Sequence, residues 1–258
     1  METYSLYNNT VELVFDPVKH KYTVGGKKVD GVTTVLKVIS KPALVPWAAK
    51  MTSEYVEKNL KPGVALDELE IKQLVAAAKG AHRQRAQNSA DLGGLAHAWF
   101  EDYFAGKDPQ MPFNKDLQNM VQAFLRFVKT HDVHPIFLEK RLYSVANRVA
   151  GTADLGLMIE GELAIADYKT SKSGIYAEHF AQMGGYDVCY TEEQQFLGID
   201  RPVDRHIIIN TNASGELYVA QSKNVSTNRN AFLSALALGR ALEEVDADRK
   251  TIIERIAA

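Results

Sequence analysis

The stretch GTADLGLMIEGELAIADYKTSK, residues 151–172, restricts the possible folds of this chain more than any other segment. Apolar runs lie on both sides of Glu160-Gly161, a pair typical of a two-residue hairpin turn. We therefore predict two antiparallel strands in which Ile159 pairs with Glu162. Strands this apolar are expected to be buried on both faces, so any charge within them needs a physical reason.

Three charged residues lie in this predicted hairpin: Asp154, Asp167 and Lys169. The register places Asp154 directly opposite Asp167, where Cβ atoms are about 4.5–5.5 Å apart. Two carboxylates this close repel unless a cation lies between them, and a hard divalent ion such as magnesium suits them. Lys169 shares a face with Asp167 because side chains alternate along a strand. The alternative is a surface hairpin with a solvated ion pair, and a loop one residue longer would move one acid to the other face.

The remaining pattern predicts a mixed α/β protein. Short strands and turns are predicted over 11–38, and helices over 40–60, 65–106 and 115–131, the second of these in two pieces. From residue 135 onward we predict three strands, a helix over 175–198, two further strands and a C-terminal helix from Asn228.

Composition limits the possible functions. The formal net charge of -2 over 258 residues means that a nucleic-acid partner would need a local basic patch. One cysteine excludes a disulfide within the chain and a four-cysteine zinc site. We find neither a signal-peptide pattern nor an apolar segment long enough to cross a membrane, so we expect a cytoplasmic protein without membrane contact.

Two helical motifs precede and follow the hairpin. Gly93, His97 and Glu101 have four-residue spacing and lie along one helix face. Gln182 and Tyr186 have the same spacing on the later helix. Taken alone, such residues are often packing or surface positions.

In this order, the motifs GGLAHAWFE, FLEKRLYS, GTADLGL, IADYKTSK and QMGGY resemble the PD-(D/E)XK nuclease superfamily and, within it, the RecB-type and phage exonuclease branch. The resemblance covers roughly residues 90 to 211. Two positions depart from the family pattern: Ala153 replaces the name-giving proline, and Asp167 replaces the more frequent glutamate. The cysteines that hold an iron–sulfur cluster in some relatives are absent, so none is expected.

The resemblance implies a restriction-endonuclease-like α/β fold, with a central mixed β-sheet flanked by helices and an N-terminal helical extension. It further implies one nuclease domain over 1–258, divided into N-terminal strands and helical extension (1–89), the family core (90–222) and a C-terminal helix (223–258). The source implied is a bacterium or a phage-infected host cell.

The activity implied is metal-dependent hydrolysis of phosphodiester bonds at DNA ends, in recombination, repair or phage DNA processing. The catalytic residues would be Asp154, Asp167, Lys169 and Gln182, and the metal ligands His97, Asp154, Asp167 and the Tyr168 carbonyl. Glu139 and Tyr186 would support them. Mg²⁺ or Mn²⁺ would be the cofactor, since imidazole suits manganese better than magnesium.

The basic segment Lys79 to Arg85 precedes the His97 helix, and Lys79, Arg83 and Arg85 are candidate DNA contacts. The expected partner is single- or double-stranded DNA, with a recombination or single-strand-binding protein as a further possible partner. The alternative function is a nucleic-acid-binding protein that has the nuclease fold without hydrolysis.

Overall fold

Nine β-strands form one mixed sheet in the computed structural model, which describes residues 1–172 and 174–252, with side chains described to residue 249. The strands are β1 (Glu2–Leu6), β2 (Val11–Asp16), β3 (Lys21–Val24), β4 (Lys27–Gly31), β5 (Val133–Ser144), β6 (Val149–Ile159), β7 (Glu162–Lys169), β8 (Arg205–Thr211) and β9 (Leu217–Ser222). The helices are α1 (Val32–Val35), α2 (Leu44–Asn59), α3 (Glu68–Phe104), α4 (Lys115–Thr130), α5 (Ala177–Phe196) and α6 (Val225–Ile252). The predicted mixed α/β architecture, a central mixed sheet flanked by helices, is confirmed.

The hairpin forms where the sequence predicted it. Glu160 and Gly161 have φ values of 52° and 81°, the left-handed conformation that a two-residue type I′ turn requires at both central positions. Ile159 pairs with Glu162, and the ladder continues to the pair Leu155–Ala166. The register is therefore the predicted one, and the ladder ends one step before the two aspartates.

One edge of β6 changes partner along its length. β5 pairs with β6 from end to end, whereas the other edge pairs first with β4, in parallel, and then with β7. The β4 pairs end at Ala150, and the β7 pairs begin at Leu155. Residues 151–154 therefore lie where neighbouring strands separate, a place at which side chains and ligands can enter a sheet.

Helix α5 packs closely on α6. A Cβ atom at Gly184 would lie 2.1 Å from the backbone oxygen of Asn228, and one at Gly185 would lie 2.7 Å from the ring of Phe232. The absence of side chains at this glycine pair allows the two helices to meet. The contact fixes α5, which carries Gln182 and Tyr186.

Two predictions of secondary structure were wrong. Residues 32–38 form α1 and a short 3₁₀ turn (Leu36–Val38) instead of a strand, because Val32 and Leu36 are buried in the apolar core there and tertiary packing overrides β propensity. Helix α3 is one helix of 37 residues instead of two. It lacks proline, and each internal glycine costs a helix only about 1 kcal/mol.

The chain divides into two compact units. The α/β unit comprises Met1–Ile39 and the chain from Trp99 onward, and the helical unit comprises Ser40–Ala98. The helical unit contains α2 and most of α3, and α2 has no buried residue. No helix in the described part of the chain combines the length and the apolar character needed to span a membrane. The predicted boundaries at 89 and 222 stay predictions.

Candidate active site

Asp154 lies on β6 in the gap between β4 and β7. Its Oδ2 atom accepts a hydrogen bond from the Tyr168 backbone N–H at 3.1 Å. The carboxylate thus takes a backbone donor of β7 just beyond the last ladder pair between these strands. Asp154 on β6 therefore contacts β7 through its side chain, as the predicted hairpin register requires.

Asp167 is almost fully buried at 2% exposure and belongs to a compact hydrogen-bonded group. Its Oδ2 atom forms an ion pair with Lys169 Nζ, and its Oδ1 atom accepts a hydrogen bond from Gln182 Nε2 at 3.2 Å. Gln182 Oε1 in turn accepts from Lys169 Nζ at 3.2 Å. Gln182 therefore contacts the acid and the base at once and fixes their relative positions.

Tyr186 completes this group from the next turn of α5. Its hydroxyl oxygen accepts a hydrogen bond from Gln182 Nε2 at 2.9 Å. Its ring lies against Gly151, where an added Cβ atom would come within 2.7 Å of the ring. Burial, followed by the charge of Asp167, raises the pKa of Tyr186, so its hydroxyl stays protonated and available for hydrogen bonding.

Charge at this site is unbalanced. Burial raises the pKa of Asp154 well above its ordinary value, and the neighbouring Asp167 and Glu139 raise it further, while Lys169 partly opposes them. Burial alone would lower the pKa of Lys169, but the charge and hydrogen bond of Asp167 raise it overall. Lys169 is therefore an ammonium group at neutral pH. Three acids, Asp154, Asp167 and Glu139, share the site with it.

Glu139 is the third acid of this site. The β5–β6 pairs Leu138–Leu155 and Lys140–Ala153 flank it, which places it across from Asp154. Its φ of 44° is unusual for a residue inside a strand and interrupts the regular ladder there. Burial raises its pKa, against the charge of Arg141, whose Nη1 lies 3.5 Å from Glu139 Oε2.

Sequence analysis did not assign a role to Glu101. Its charge raises the pKa values of both Glu139 and Tyr168, so this residue of α3 belongs to the same acidic group. The four-residue spacing from His97 was the one signal available in the sequence. Tyr168 itself is held by rings on two helices, with Phe100 at 5.0 Å and Phe124 at 5.9 Å between ring centroids.

The donor chemistry of these residues fits a hard divalent cation. Carboxylates of Asp154, Asp167 and Glu139 and the Tyr168 carbonyl are oxygen ligands of the kind that Mg²⁺ and Mn²⁺ take. The side chains are not arranged around one point, and no three His, Cys, Asp or Glu side chains in the described part of the chain form a group ready to hold a metal. Lys169 holds Asp167 instead, so a cation would have to compete with an ammonium group that is already in place.

The other predicted residues belong to the helical unit. His97 lies on α3, and its role as a metal ligand stays a prediction. Lys79, Arg83 and Arg85 are all exposed on α3.

Comparison with known proteins adds little. No protein-family model and no curated protein matches this chain. A solved structure titled SSO0001 has 12% sequence identity and a TM-score of 0.30, over 74% of this chain and 86% of that chain. An alkaline exonuclease (LHK-Exo) from Laribacter hongkongensis has 9% identity and a TM-score of 0.34, over 85% of this chain and 93% of its own. Likeness at such low TM-scores does not indicate a function for this chain.

Proposed function

We propose that this protein is a divalent-metal-dependent deoxyribonuclease, an exonuclease that hydrolyses phosphodiester bonds at DNA ends. One observation carries the proposal: Asp154 and Asp167 come together where two strands separate, and Lys169 and Gln182 contact Asp167 there. A buried acid such as Asp154, whose pKa is raised by burial and by neighbouring acids and which lies beside a lysine, is typical of a site that binds a cation and an anionic substrate. The choice of exonuclease over endonuclease rests on the family resemblance of the sequence motifs.

Asp154, Asp167 and the Tyr168 carbonyl would hold a Mg²⁺ or Mn²⁺ ion, with His97 as a further predicted ligand. The ion would lower the pKa of a bound water and stabilise negative charge on the phosphate. Glu139 adds negative charge from the neighbouring strand, which strengthens attraction for a cation.

Lys169 would orient the attacking water and donate a hydrogen bond to a phosphate oxygen. Because its pKa is raised, it holds its protons at neutral pH and acts as a donor, not as a general base. Gln182 would keep the ammonium group in place through its Oε1 atom, and Tyr186 would keep the Gln182 amide oriented. These contacts within the protein hold the lysine in a fixed position, which reduces the reorganisation needed during the reaction.

One observation favours a second candidate, a nucleic-acid-binding protein without hydrolysis. Lys169 forms an ion pair with Asp167, and the described acidic side chains do not converge on one point. A lysine that stays in that position would replace the cation and leave a site that binds DNA alone.

Cleavage of end-labelled linear DNA, single- and double-stranded, beside a closed circle tests these functions. Each substrate is incubated with Mg²⁺, with Mn²⁺ or with a chelator. Metal-dependent loss of the linear DNA with the circle intact supports the exonuclease, and nicking of the circle would make the protein an endonuclease. Binding without cleavage under either metal would favour the second candidate.

A further inference from the structure

Three cations form a single row along α3 in the helical unit: Lys72, Lys79 and Arg83. At about 100° of rotation per residue, their directions differ by no more than about 40° around the helix axis. All three side chains are exposed. With a rise of about 1.5 Å per residue, the row is about 16 Å long.

The charge of this row is largely uncompensated. Lys79 and Arg83 form no ion pair with any described residue, and the sequence from Lys72 to Arg83 contains no acid. Lys72 pairs with Glu68 at 2.5 Å, but both side chains are highly exposed, at 70% and 84%. Such a pair contributes little and exchanges readily for another anion.

The rest of the helix surface differs from the row. Gln84 donates to Asn88 at 2.8 Å and Gln87 donates to Asp91 at 2.7 Å, so these amides are used within the helix. Arg85 lies about 120–160° around the axis from Lys79 and Arg83. Of the four Lys and Arg residues between positions 72 and 85, three therefore lie on one side of the helix, and Arg85 lies outside this row.

We propose that Lys72, Lys79 and Arg83 bind the sugar-phosphate backbone of DNA, independently of sequence. This inference rests on the proposed function, for which it names the surface that holds the DNA. One strand of B-DNA carries a phosphate every ~3.4 Å along the axis, so the row matches about five phosphates. Because the whole chain has a net charge of -2, attraction for DNA must come from such a local row.

The test is the salt dependence of DNA binding, measured with the full chain in chelator so that no cleavage occurs. The variant Lys72→Gln/Lys79→Gln/Arg83→Gln is compared with the matched control Arg85→Gln. The slope of log K against log salt should become shallower by about 2.7 for duplex DNA and about 2.1 for single strands, from about 0.9 and 0.7 per contact. The sequence makes Arg85 a candidate DNA contact, but the inference excludes it because its direction differs from Lys79 and Arg83 by about 120–160°, so Arg85→Gln should leave the slope unchanged.

The outcomes separate this inference from the proposed function. If wild type cleaves DNA but the triple variant keeps the wild-type salt slope, the row does not contact DNA, and the proposed nuclease function is still supported. If wild type never cleaves DNA and the triple variant has a shallower salt slope, the row binds DNA but the proposed nuclease function is wrong. If Arg85→Gln reduced the salt slope as much as the triple variant does, or if wild type bound no DNA, the proposal that this row binds DNA would be wrong. Should the triple variant be poorly folded, the three single variants, each expected to lower the duplex slope by about 0.9, give the same answer.

Discussion

Asp154 and Asp187 are two buried acids of the same α/β unit, but their surroundings shift their pKa values in opposite directions. Asp187, on α5, is fully buried and accepts hydrogen bonds from His206 Nε2 at 2.9 Å and from Arg229 Nε and Nη2 at 2.6 and 2.8 Å. Thr191 Oγ1 donates to it as well, at 2.8 Å. Burial raises its pKa, yet these partners, led by His206, lower it below the ordinary value.

The neighbours of Asp154 shift its pKa in the opposite direction. Burial and the acids Asp167 and Glu139 raise its pKa, and Lys169 opposes them only in part. A buried acid that is neutralised by its own chain indicates a structural role, as in the clamp of Asp187, His206 and Arg229 between α5, β8 and α6. A buried acid that faces other acids is stabilised by taking up a proton or a cation, and its raised pKa indicates a candidate binding site.

The largest expected effect is the loss of cleavage in Asp167→Asn. The substitution keeps the shape of the side chain but removes an anionic ligand and the ion-pair partner of Lys169, so the rate should fall by at least about a thousandfold, or ~4 kcal/mol. Initial rates on end-labelled linear DNA with Mg²⁺ measure it, and thermal unfolding checks the fold. Cleavage within tenfold of wild type would remove Asp167 from the site.

Asp187→Asn should show the reverse pattern. Removing this charge leaves His206 without its carboxylate acceptor and Arg229, which is 29% exposed, without its counter-ion. Breaking a buried pair costs about 3–5 kcal/mol, and we expect ~3 because Arg229 is partly solvated. Urea unfolding measures the loss, while the rate per folded molecule should stay within about threefold of wild type. A loss of cleavage with full stability would make this cluster catalytic and abolish the contrast.

Lys169→Met should reduce kcat by about a hundredfold, or ~2.7 kcal/mol, because the ammonium group that orients water and phosphate is lost. The Kd for DNA should change by less than about threefold, since one lysine contributes little to binding overall. Exposed Lys172 provides the control, and Lys172→Met should leave kcat unchanged. Equal losses in kcat and affinity would reduce Lys169 to a phosphate contact.

Local signals in the sequence predicted the hairpin and its acids. The Glu160-Gly161 turn fixes the register, and register arithmetic then brings Asp154 and Asp167 together without any long-range information. Gln182 was singled out by motif resemblance, and its contact with Lys169 came only with the structure, because strand and helix patterns alone do not indicate which side chains meet.

Features set by distant contacts were not predictable. The helical conformation of 32–38 depends on burial of Val32 and Leu36, and the role of Gly184 depends on α6, which follows it by some forty positions. The cluster around Asp187 likewise joins α5, β8 and α6, and the sequence pattern of each element alone does not predict it. Glu139 was found by motif, but its irregular backbone and its position across from Asp154 came only with the structure.

The smallest expected effect, and the sharpest test of the contrast, is the pH dependence of stability in metal-free protein. The pKa of Asp154 is raised on folding, so its contribution is fully present below its ordinary pKa of 3.8 and is lost as pH rises through the higher folded value. The pKa of Asp187 is lowered on folding, so its contribution is present above 3.8 and is lost as pH falls through the lower folded value.

Urea unfolding of wild type, Asp154→Asn and Asp187→Asn from acidic to neutral pH should therefore give differences of opposite sign. As pH rises, Asp154→Asn should gain stability relative to wild type, and Asp187→Asn should lose it. Mg²⁺ should cancel the first difference, because a bound cation stabilises the ionised Asp154, and should leave the second unchanged. The contrast fails if the free energy of unfolding, relative to wild type, changes with pH in the same direction for both variants. It also fails if Mg²⁺ affects both variants equally, because Asp154 would then behave as Asp187 does.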